Sequence, residues 1–561
     1  MIMLKMRKVN KVMALGLASI LVGSCLGACG NISDPNADKK KNSSILNVKI
    51  FNGGLGYAWL EELANQFMET FKDVSFEEGK KGVYISITPN KQFDGLHDNM
   101  ASGADAEDIY YTSSSRLNDF LQTDVVLDIT SLMTADVYDA TGNVQLNETG
   151  DGWKIQEKSI ADRINVDYYK DAFNLGTEEQ PSYYSIPYED TLSGIIVDWD
   201  LFKSKGWNDY EGLDGMPATM DDFYDLLYRI QKANYSAFTY STAVGYYTRT
   251  IQRAVQAKVD GLDWYSDVYS DYTGEYDFNG DGQITDDEKI TPATMSKVAE
   301  TAGVKAAIDM ALEMFSKDVN GNTYYDPNVV QGVSFGGAQQ DFIMSKSANN
   351  RKRIAMILEG DWWENEARAT FNSMGGINEA DGYGKREFRF MPIPQVTEND
   401  KCEKYTIGSM SNGAVTIVNK KTVEGNTVKQ RLAELWLQYQ YSAKGLKTFT
   451  LHTGSSLPLE YEMTEGDLAK LTPFARNTWE LRHSDKVEIV YDNPMMKSNE
   501  VRYGLVAYAY NATVGGATYT DTLFNNVVKT INEGKTITAA DYIKGLRTYY
   551  DSRLADAYPA K

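Results

Sequence analysis

The hydrophobic pattern after residue 44 predicts a strand, a glycine-rich turn and a helix. Residues 45–51 alternate apolar and polar side chains, which is the two-residue period of a half-buried strand. Glycines at positions 53, 54 and 56 then interrupt the alternation. Residues 59–72 follow with a helical spacing of apolar side chains, at Leu60, Leu63, Phe67 and Phe71.

Strands and helices continue to alternate along the chain. Residues 83–88 and 108–111 have strand patterns, and residues 195–197 are typical of a buried strand. Thr219 precedes an amphipathic helix with Asp222 three positions on, as in a capping box. Another helix is indicated by Leu432, Leu435, Trp436 and Tyr439. No repeat of fixed period is visible. This order predicts an α/β fold with a mainly parallel sheet, in which ligands bind at loops that follow the strands.

The first 28 residues are predicted to form a lipoprotein signal peptide. A basic start precedes the apolar run 12–28, which is too short to span a membrane comfortably. The run ends in Leu26-Gly27-Ala28-Cys29, which resembles a bacterial lipobox, so Cys29 is expected to be acylated and to become the first mature residue. An ordinary signal peptide with an incidental Cys29 is the alternative. Residues 29–44 are predicted to be a flexible tether.

The composition and net charge of the chain argue mainly against a nucleic-acid partner, zinc chemistry and a disulfide framework. The 561 residues suffice for two to four domains. Acidic residues outnumber basic ones 78 to 56, and a net charge of −22 repels phosphate backbones, so no nucleic-acid partner is expected. The three histidines are widely separated and form no H-E-x-x-H motif, which gives little support to zinc chemistry. Once Cys25 is removed and Cys29 is acylated, Cys402 is left without a disulfide partner.

Five segments of the chain, taken in order, carry a recognisable pattern. They are Asn52-Gly53-Gly54 with Trp59; Asp108 to Arg116; Ile186-Pro187 to Asp200-Leu201-Phe202-Lys203, Gly206-Trp207 and Pro217-Ala218-Thr219; Ile354-Ala355-Met356 with Gly360-Asp361-Trp362-Trp363; and Gly454 to Pro458. In this order they resemble the segments of the extracellular solute-binding proteins of sugar ABC transporters, the family of maltose-binding protein. The likeness covers nearly the whole chain after the tether.

The resemblance implies a two-lobed, periplasmic-binding-protein-like α/β fold with a hinge and discontinuous lobes. The chain would cross between lobes near Pro187, near residues 392–394 and near residues 457–458. Lobe 1 would then comprise residues 45–187 and 395–454, and lobe 2 residues 188–394 and 455–561. The chain is longer than expected for the family, and the surplus is placed in an insertion at about 236–330 within lobe 2.

The resemblance also implies a function. The chain would be the membrane-anchored substrate-binding component of an ABC importer, which captures a sugar or oligosaccharide between its lobes and delivers it to a permease. It would be exported and held at the outer face of the cell membrane through its acyl anchor only, an arrangement suited to a Gram-positive type of cell. We expect a monomer without enzymatic activity, served by permease and ATPase subunits on separate chains.

A sugar offers apolar C–H faces and a rim of hydroxyl groups, so its site should combine aromatic rings with polar side chains. Each candidate also has a structural alternative. Trp362 and Trp363 could belong to the core, and Trp59 could staple the start of its helix. The serines could cap a helix, the group at 188–190 could form a hinge salt-bridge network, and the pair at 411–412 could form a polar turn. The ligand-binding candidates are Tyr57, Trp59, Ser113, Ser115, Arg116, Tyr188, Glu189, Asp190, Trp362, Trp363, Ser411 and Asn412.

Residues 277–288 match the EF-hand loop pattern D-x-[DN]-x-[DN]-G-x5-E at every specified position. Gly282 would allow the sharp turn, and one Ca²⁺ with a structural role in the insertion is predicted. An acidic solvated loop is the alternative. A second stretch beginning at Asp318 lacks the glycine and the final glutamate, and is interpreted as a turn. The predicted ligands are Asp277, Asn279, Asp281, Gln283 and Glu288.

Other functions are kept open at this point. A receptor for a peptide or another non-sugar solute would share the same fold. A glycoside hydrolase would need a carboxyl pair at a defined separation, and Glu189, Asp190, Glu359 and Asp361 lie near the proposed cleft segments. Repeated calcium loops would favour a surface adhesin or a calcium-dependent scaffold, whereas the sequence has one such loop. Product release from an oligosaccharide would identify the hydrolase.

Overall fold

Two large β-sheets, each packed against hydrophobic clusters of its own, organise the chain in the computed structural model, and β7–β8 and β14–β15 form two small two-stranded sheets. The structure describes residues 37–93, 95–112, 117–135, 158–268, 274–291, 293–318, 320–410, 414–491, 512–514 and 517–557. The strands are β1 (Ser44–Phe51), β2 (Val83–Asn90), β3 (Ile109–Thr112), β4 (Ile186–Pro187), β5 (Leu192–Asp198), β6 (Ser236–Tyr240), β7 (Gly274–Glu275), β8 (Lys289–Ile290), β9 (Ile354–Gly360), β10 (Phe388–Met391), β11 (Tyr405–Ser409), β12 (Val415–Val418), β13 (Val487–Val490), β14 (Ala512–Val514) and β15 (Ala517–Tyr519).

Helices separate most of these strands, as the alternating pattern predicts. They are α1 (Ala37–Asn42), α2 (Ala58–Thr70), α3 (Leu96–Ser102), α4 (Leu117–Gln122), α5 (Thr130–Thr134), α6 (Asp167–Phe173), α7 (Trp199–Lys205), α8 (Met220–Lys232), α9 (Tyr246–Asp260), α10 (Leu262–Ser266), α11 (Ala302–Met314), α12 (Phe335–Met344), α13 (Trp363–Glu366), α14 (Arg368–Ile377), α15 (Lys420–Val423), α16 (Thr427–Gln440), α17 (Ala443–Thr453), α18 (Glu465–Leu468), α19 (Pro473–Arg482), α20 (Leu523–Asn532) and α21 (Ala539–Ala557).

The first sheet has the strand order β2-β1-β3-β12-β4. Strand β1 pairs in parallel with β2 and β3, while β12 runs antiparallel to β3 and β4. Leu60, Leu63 and Phe67 of α2 pack into its core, as their helical spacing predicts. We call this sheet with its helices and core the first unit.

The second sheet has the order β13-β11-β5-β9-β6, with β10 also paired to β5. Both faces of the central strand β5 are covered, because Ile195 and Val197 belong to one core cluster and Leu192 and Ile196 to another. This double coverage accounts for the continuous apolar run at residues 195–197. The predicted capping box at Thr219 and Asp222 starts α8 and has both of its hydrogen bonds. We call this sheet and its two cores the second unit.

The structure corrects two of the predicted boundaries. Strand β11 belongs to the second sheet, so the chain returns to the first unit after residue 409 and not at 394. The prolines near 394 end β10, and Ile393 still exchanges two backbone hydrogen bonds with Thr406 in the second unit. The final crossing also comes later than predicted, since Leu457 and Leu459 pack in the core of the first unit. Proline breaks strand pairing without marking a change of unit.

The predicted insertion at 236–330 is built into the second unit. Strand β6 is the edge strand of its sheet and pairs in parallel with β9. Ile251 of α9 and Ile308 of α11 lie in the same core cluster as Val197. The extra length therefore extends a shared core and does not form an appended module. Within the described part of the chain, no helix is both long and apolar enough to cross a membrane.

Candidate functional site

The two units meet at the ends of several strands. Strand β1 ends at Phe51 and is followed by the glycine loop, residues 52–57, while β9 ends at Gly360 beside the start of β5. The side-chain amide of Asn365 donates a hydrogen bond of 2.8 Å to the carbonyl of Gly54, which joins the second unit to this loop. The loops after these strands therefore face each other across the junction, where an α/β fold places its ligands.

Trp362 lies between the units. It is 6% exposed and belongs to a small apolar cluster with Tyr247 and Met410, against which Leu55 of the glycine loop packs. The Tyr247 and Trp362 ring centroids are 5.3 Å apart, with the planes inclined by 59°. Trp362 is thus the candidate aromatic that both units contact.

Glycine is required at two positions beside this indole. A Cβ atom at Gly54 would lie 2.4 Å from Trp362 Cδ1, and one at Gly360 would lie 2.0 Å from Trp362 Cη2. Both distances are far below van der Waals contact, so any larger side chain would displace the ring. The glycines of the first loop and of the Gly-Asp-Trp segment therefore fix how the indole lies at the junction.

Two other predicted tryptophans lie in hydrophobic cores. Trp59 is 1% exposed and makes edge contacts with Tyr111 and Phe449 inside the first unit. Trp363 is fully buried in the second unit. It contacts the rings of Phe342, Phe371, Phe388 and Phe474. The structure therefore places both in a core, which is the alternative that the sequence left open for Trp363. Tyr57 is partly exposed and precedes α2.

Several predicted residues fall outside the described part of the chain. These are Ser113, Ser115, Arg116, Ser411, Asn412 and the lipidation candidate Cys29. Two described residues lie close to these segments in the sequence: Thr112 before residues 113–116 and Val415 after residues 411–413. Thr112 pairs with Val415 in the first sheet.

The group at 188–190 takes part in a buried network that we call the hinge network. Arg482 of α19 donates to both the carboxylate and the backbone carbonyl of Asp190. Tyr169 donates to the same carboxylate over 3.1 Å. Asp361 Oδ2 accepts from the backbone of Leu192 at 3.0 Å and from Ser455 Oγ at 3.1 Å. Residues from separate chain crossings thus converge on one charged cluster.

Burial raises the pKa values of carboxyl groups around this network. The pKa of Asp361 is raised to about 6, since desolvation outweighs the favourable charge of Arg482. The pKa of Glu189 is raised to about 8 by desolvation and by the neighbouring charges of Asp361 and Asp190. Glu189 is partly exposed at the junction, and Tyr188 packs edge-on against Tyr111 in the first unit. A protonated Glu189 can donate a hydrogen bond to a ligand as well as accept one.

A second carboxyl group lies next to Trp362. Glu359, at the end of β9, is completely buried, and desolvation together with the charge of Glu366 raises its pKa well above the usual range. Hydrogen bonding to the side chains of Gln339 and Trp362 partly offsets this rise. Gln339 Nε2 also donates to Glu366 at 2.7 Å. These groups support Trp362 from the side of the second sheet.

Sequence reasoning missed three contributors to the junction: Tyr247, Asn365 and Arg482. Tyr247 and Arg482 lie in helices whose sequences carry no binding motif. Asn365 follows the Gly-Asp-Trp segment by a few residues, so its place after a strand end was the one available signal.

The predicted calcium loop has a tight, turned backbone. The Asp277 carboxylate accepts hydrogen bonds from the backbone N–H groups of Gly280 at 2.6 Å and Gly282 at 2.7 Å. Gly282 has φ of +77°, which agrees with the sharp turn expected there. Glu288 accepts from the backbone of Phe278 at 3.1 Å and of Thr285 at 3.0 Å. In the described residues, no three His, Cys, Asp or Glu side chains are grouped closely enough to hold a metal ion. Calcium binding by this loop stays a prediction.

Comparison with known proteins identifies the family of this chain. Residues 56–447 match the family model described as bacterial extracellular solute-binding protein. The sequence matches no curated protein. The mixed α/β architecture described above is the fold of that family.

Solved structures show the same fold. The structure of SBP RafE in complex with raffinose has a TM-score of 0.51 and 14% identity, covering 91% of this chain and 100% of that one. A probable secreted solute-binding lipoprotein from Streptomyces coelicolor has a TM-score of 0.53 and 11% identity, with 90% and 98% covered. A protein of xylan utilization from Caldanaerobius polysaccharolyticus has a TM-score of 0.53 and 12% identity, with 90% and 99% covered. At such identities the likeness establishes the fold alone.

Proposed function

This chain belongs to the bacterial extracellular solute-binding proteins, and we propose that it captures a sugar or oligosaccharide at the junction of its two units for delivery to an ABC permease. The observation that carries the proposal is the placement of Trp362, which packs against Gly54 of one unit and Gly360 of the other. Trp362 is only 6% exposed in this structure, so its apolar face would become available to a sugar ring when the units open.

In this proposal the two units act as lobes, and the chain crossings between them form the hinge. The hinge network ties Asp190, Asp361 and Arg482 together. Four residues after Asp361, the contact of Asn365 with Gly54 of the other unit forms a latch. Opening would break the latch but leave the buried charges paired. Ligand would then favour closure by contacting both lobes at once.

Titration calorimetry against a panel of neutral oligosaccharides tests this function. We expect binding near micromolar, about −8 kcal/mol, without product formation and with loss of binding in Trp362→Ala. Tyr228→Ala is the matched control, since Tyr228 is an exposed aromatic on α8. Absence of binding across all sugars would overturn the carbohydrate proposal, and binding of peptides instead would favour the alternative receptor.

The carboxyl groups named for a glycoside hydrolase do not form an accessible pair. Asp190 is held by Arg482, Asp361 is tied to the backbone of Leu192, and Glu359 is completely buried. A hydrolase needs two carboxyl groups that flank the scissile bond. A solute-binding protein is a receptor and not an enzyme, and this arrangement supports that assignment.

The membrane anchor is part of the proposal. Acylation of Cys29 would tether an exported receptor to the outer face of the membrane, because each acyl methylene that enters the bilayer contributes about 0.8 kcal/mol. The Leu26-Gly27-Ala28-Cys29 sequence supports this. In a cell that expresses Cys29→Ser, the protein should move from the membrane fraction to the medium, while its sugar affinity stays unchanged. Retention of the variant in the membrane would contradict acylation at Cys29.

A further inference from the structure

The amino end of α12 lies at the same edge of the second sheet as Trp362. Ser241 Oγ donates to the carbonyl of Val333 at 3.0 Å, and the Val333 backbone donates to Thr242 Oγ1 at 3.0 Å, so the start of α12 is fastened to the loop after β6. At the other end of the helix, Ser345 Oγ accepts from Ile354 at the start of β9 over 3.0 Å. The helix therefore runs antiparallel to β9, and its first residue, Phe335, lies where β9 ends.

Two chains of contacts connect this helix end with Trp362. The loop after β6 contributes Val244 to the apolar cluster that contains Trp362. Gln339, one turn after Phe335 on the same face of α12, donates to Glu366, which lies one turn after Trp362. Phe335 thus stands one helical turn, about 5.4 Å along the axis, beyond the Gln339–Glu366 pair.

Phe335 is an unusual residue for this position. Its side chain is 47% exposed, and the residues after it are Gly336 and Gly337, which supply no side chains to pack on it. In the described residues the other strongly exposed aromatic is Tyr228 on α8, where Lys232 lies 5.4 Å from the ring centroid. The exposed ring of Phe335 instead lies at the end of the sheet where Trp362 lies.

We propose that Phe335 forms an outer aromatic subsite, which stacks on a sugar ring further along an oligosaccharide whose inner ring contacts Trp362. The inference rests on the proposed function and deepens it, because it makes the ligand a chain longer than a disaccharide. A ring in the inner position would be enclosed by both units, while a ring over Phe335 would be held by the second unit alone. Phe335 would therefore set the preference for chain length and leave the preference for the inner sugar unchanged.

The test compares affinities across chain lengths. Calorimetric titration of the mature chain with xylo-, malto- and chito-oligosaccharides, from disaccharide to hexasaccharide, should show affinity rising with length. Phe335→Ala should weaken binding of the long members about two- to tenfold and leave the disaccharide unchanged, in keeping with the usual strength of a stacked aromatic contact. Phe335→Trp should restore the length preference. Tyr228→Ala is the matched control and should change neither.

Each result decides the question. Equal weakening of all lengths in Phe335→Ala would overturn the outer subsite, and so would an unchanged length profile. If Phe335→Ala binds every sugar as the wild type does but supports less uptake in cells, the ring contacts the permease and the subsite is again refuted. Failure of the wild-type chain to bind any of these sugars would instead refute the proposed function itself, which separates the two failures. Thermal melting of each variant confirms that it is folded.

Discussion

Arg482 holds Asp190 at two points, donating to its carboxylate and to its backbone carbonyl. Both side chains are buried, and Arg482 also lies 3.5 Å from Asp361. A buried charge pair adds little over an apolar replacement of the whole pair, but removal of one member leaves the other charge uncompensated. The pair therefore fixes the geometry of the first chain crossing relative to the second unit.

We expect Arg482→Ala to lower the free energy of unfolding by about 3–5 kcal/mol, because it would leave Asp190 and Asp361 buried together. Denaturant unfolding at neutral pH measures this. Arg476→Ala on the same helix is the control, since Arg476 pairs with Glu480 at the surface and such pairs contribute about 1 kcal/mol or less. Equal losses in the two variants would show that the hinge network is not a special source of stability.

Substitution of the adjacent Trp362 and Trp363 should affect different properties, sugar binding for the first and stability for the second. Trp363→Ala is expected to lower the free energy of unfolding by about 3–5 kcal/mol, because it empties a fully buried position among four phenylalanines. Trp362→Ala is expected to cost less stability, since its cluster is small, and to abolish sugar binding. Denaturant unfolding and calorimetric titration of both variants check this. If Trp363→Ala lost sugar binding but kept its full stability, Trp363 would again be a candidate for contact with the ligand.

The sequence predicted the class of fold but not which of two neighbouring side chains reaches the junction. Trp362 and Trp363 both follow β9, and the alternation that distinguishes faces within a strand ends at Gly360. The same limit applies to Trp59, whose place on a glycine loop is compatible with the cleft and with the core. Burial of these rings depends on side chains from helices in distant parts of the chain, such as Phe449 and Phe474.

Contacts between residues that are far apart in the chain could not be predicted from the sequence. Arg482 and Asp190 are 292 positions apart, and no local pattern links them. The prediction of a chain crossing near Pro394 was wrong for a related reason. A proline in the sequence indicates that a backbone donor is missing locally, but it does not indicate to which sheet the next strand belongs. Strand β11 joins the second sheet through pairing with β5, more than 200 positions earlier in the chain.

Glu364 should make stability depend on pH. It is buried in the first turn of α13, and desolvation raises its pKa to about 7 despite a hydrogen bond from Thr472 and the charge of Arg368. An unfolded glutamate titrates near 4.3, so between about pH 4.3 and 7 the folded chain retains a proton that the unfolded chain releases. Stability conferred by the neutral form is present at low pH and is lost as the pH rises through this window.

Glu364→Gln should remove that dependence. The variant keeps an acceptor for Thr472, and its stability relative to the wild type should increase by up to about 3 kcal/mol between pH 4.5 and 7. Denaturant unfolding at a series of pH values measures the difference. Glu462→Gln, at an exposed glutamate, is the control. A constant difference between Glu364→Gln and wild type across this range would show that Glu364 titrates in the folded protein as it does in the unfolded chain.

Calcium should stabilise the chain through the loop at 277–288. The turned backbone already directs the Asp277 carboxylate inward, and binding requires Glu288 to exchange its contacts with Phe278 and Thr285 for the ion. A calcium concentration one hundred times the dissociation constant would raise the free energy of unfolding by about 2.7 kcal/mol. Thermal melting with calcium and with a chelator measures the effect.

Glu288→Gln should abolish the calcium-dependent shift in melting temperature, because it removes the bidentate ligand at the last position of the loop. The second acidic turn provides a matched control, since Asp318 bonds to Asn322 and Gln231 and its segment lacks the final glutamate. Asp318→Asn should therefore keep the shift. An equal melting temperature with and without calcium in the wild type would mean that the EF-hand pattern here describes only a turn, held by the Asp277 hydrogen bonds.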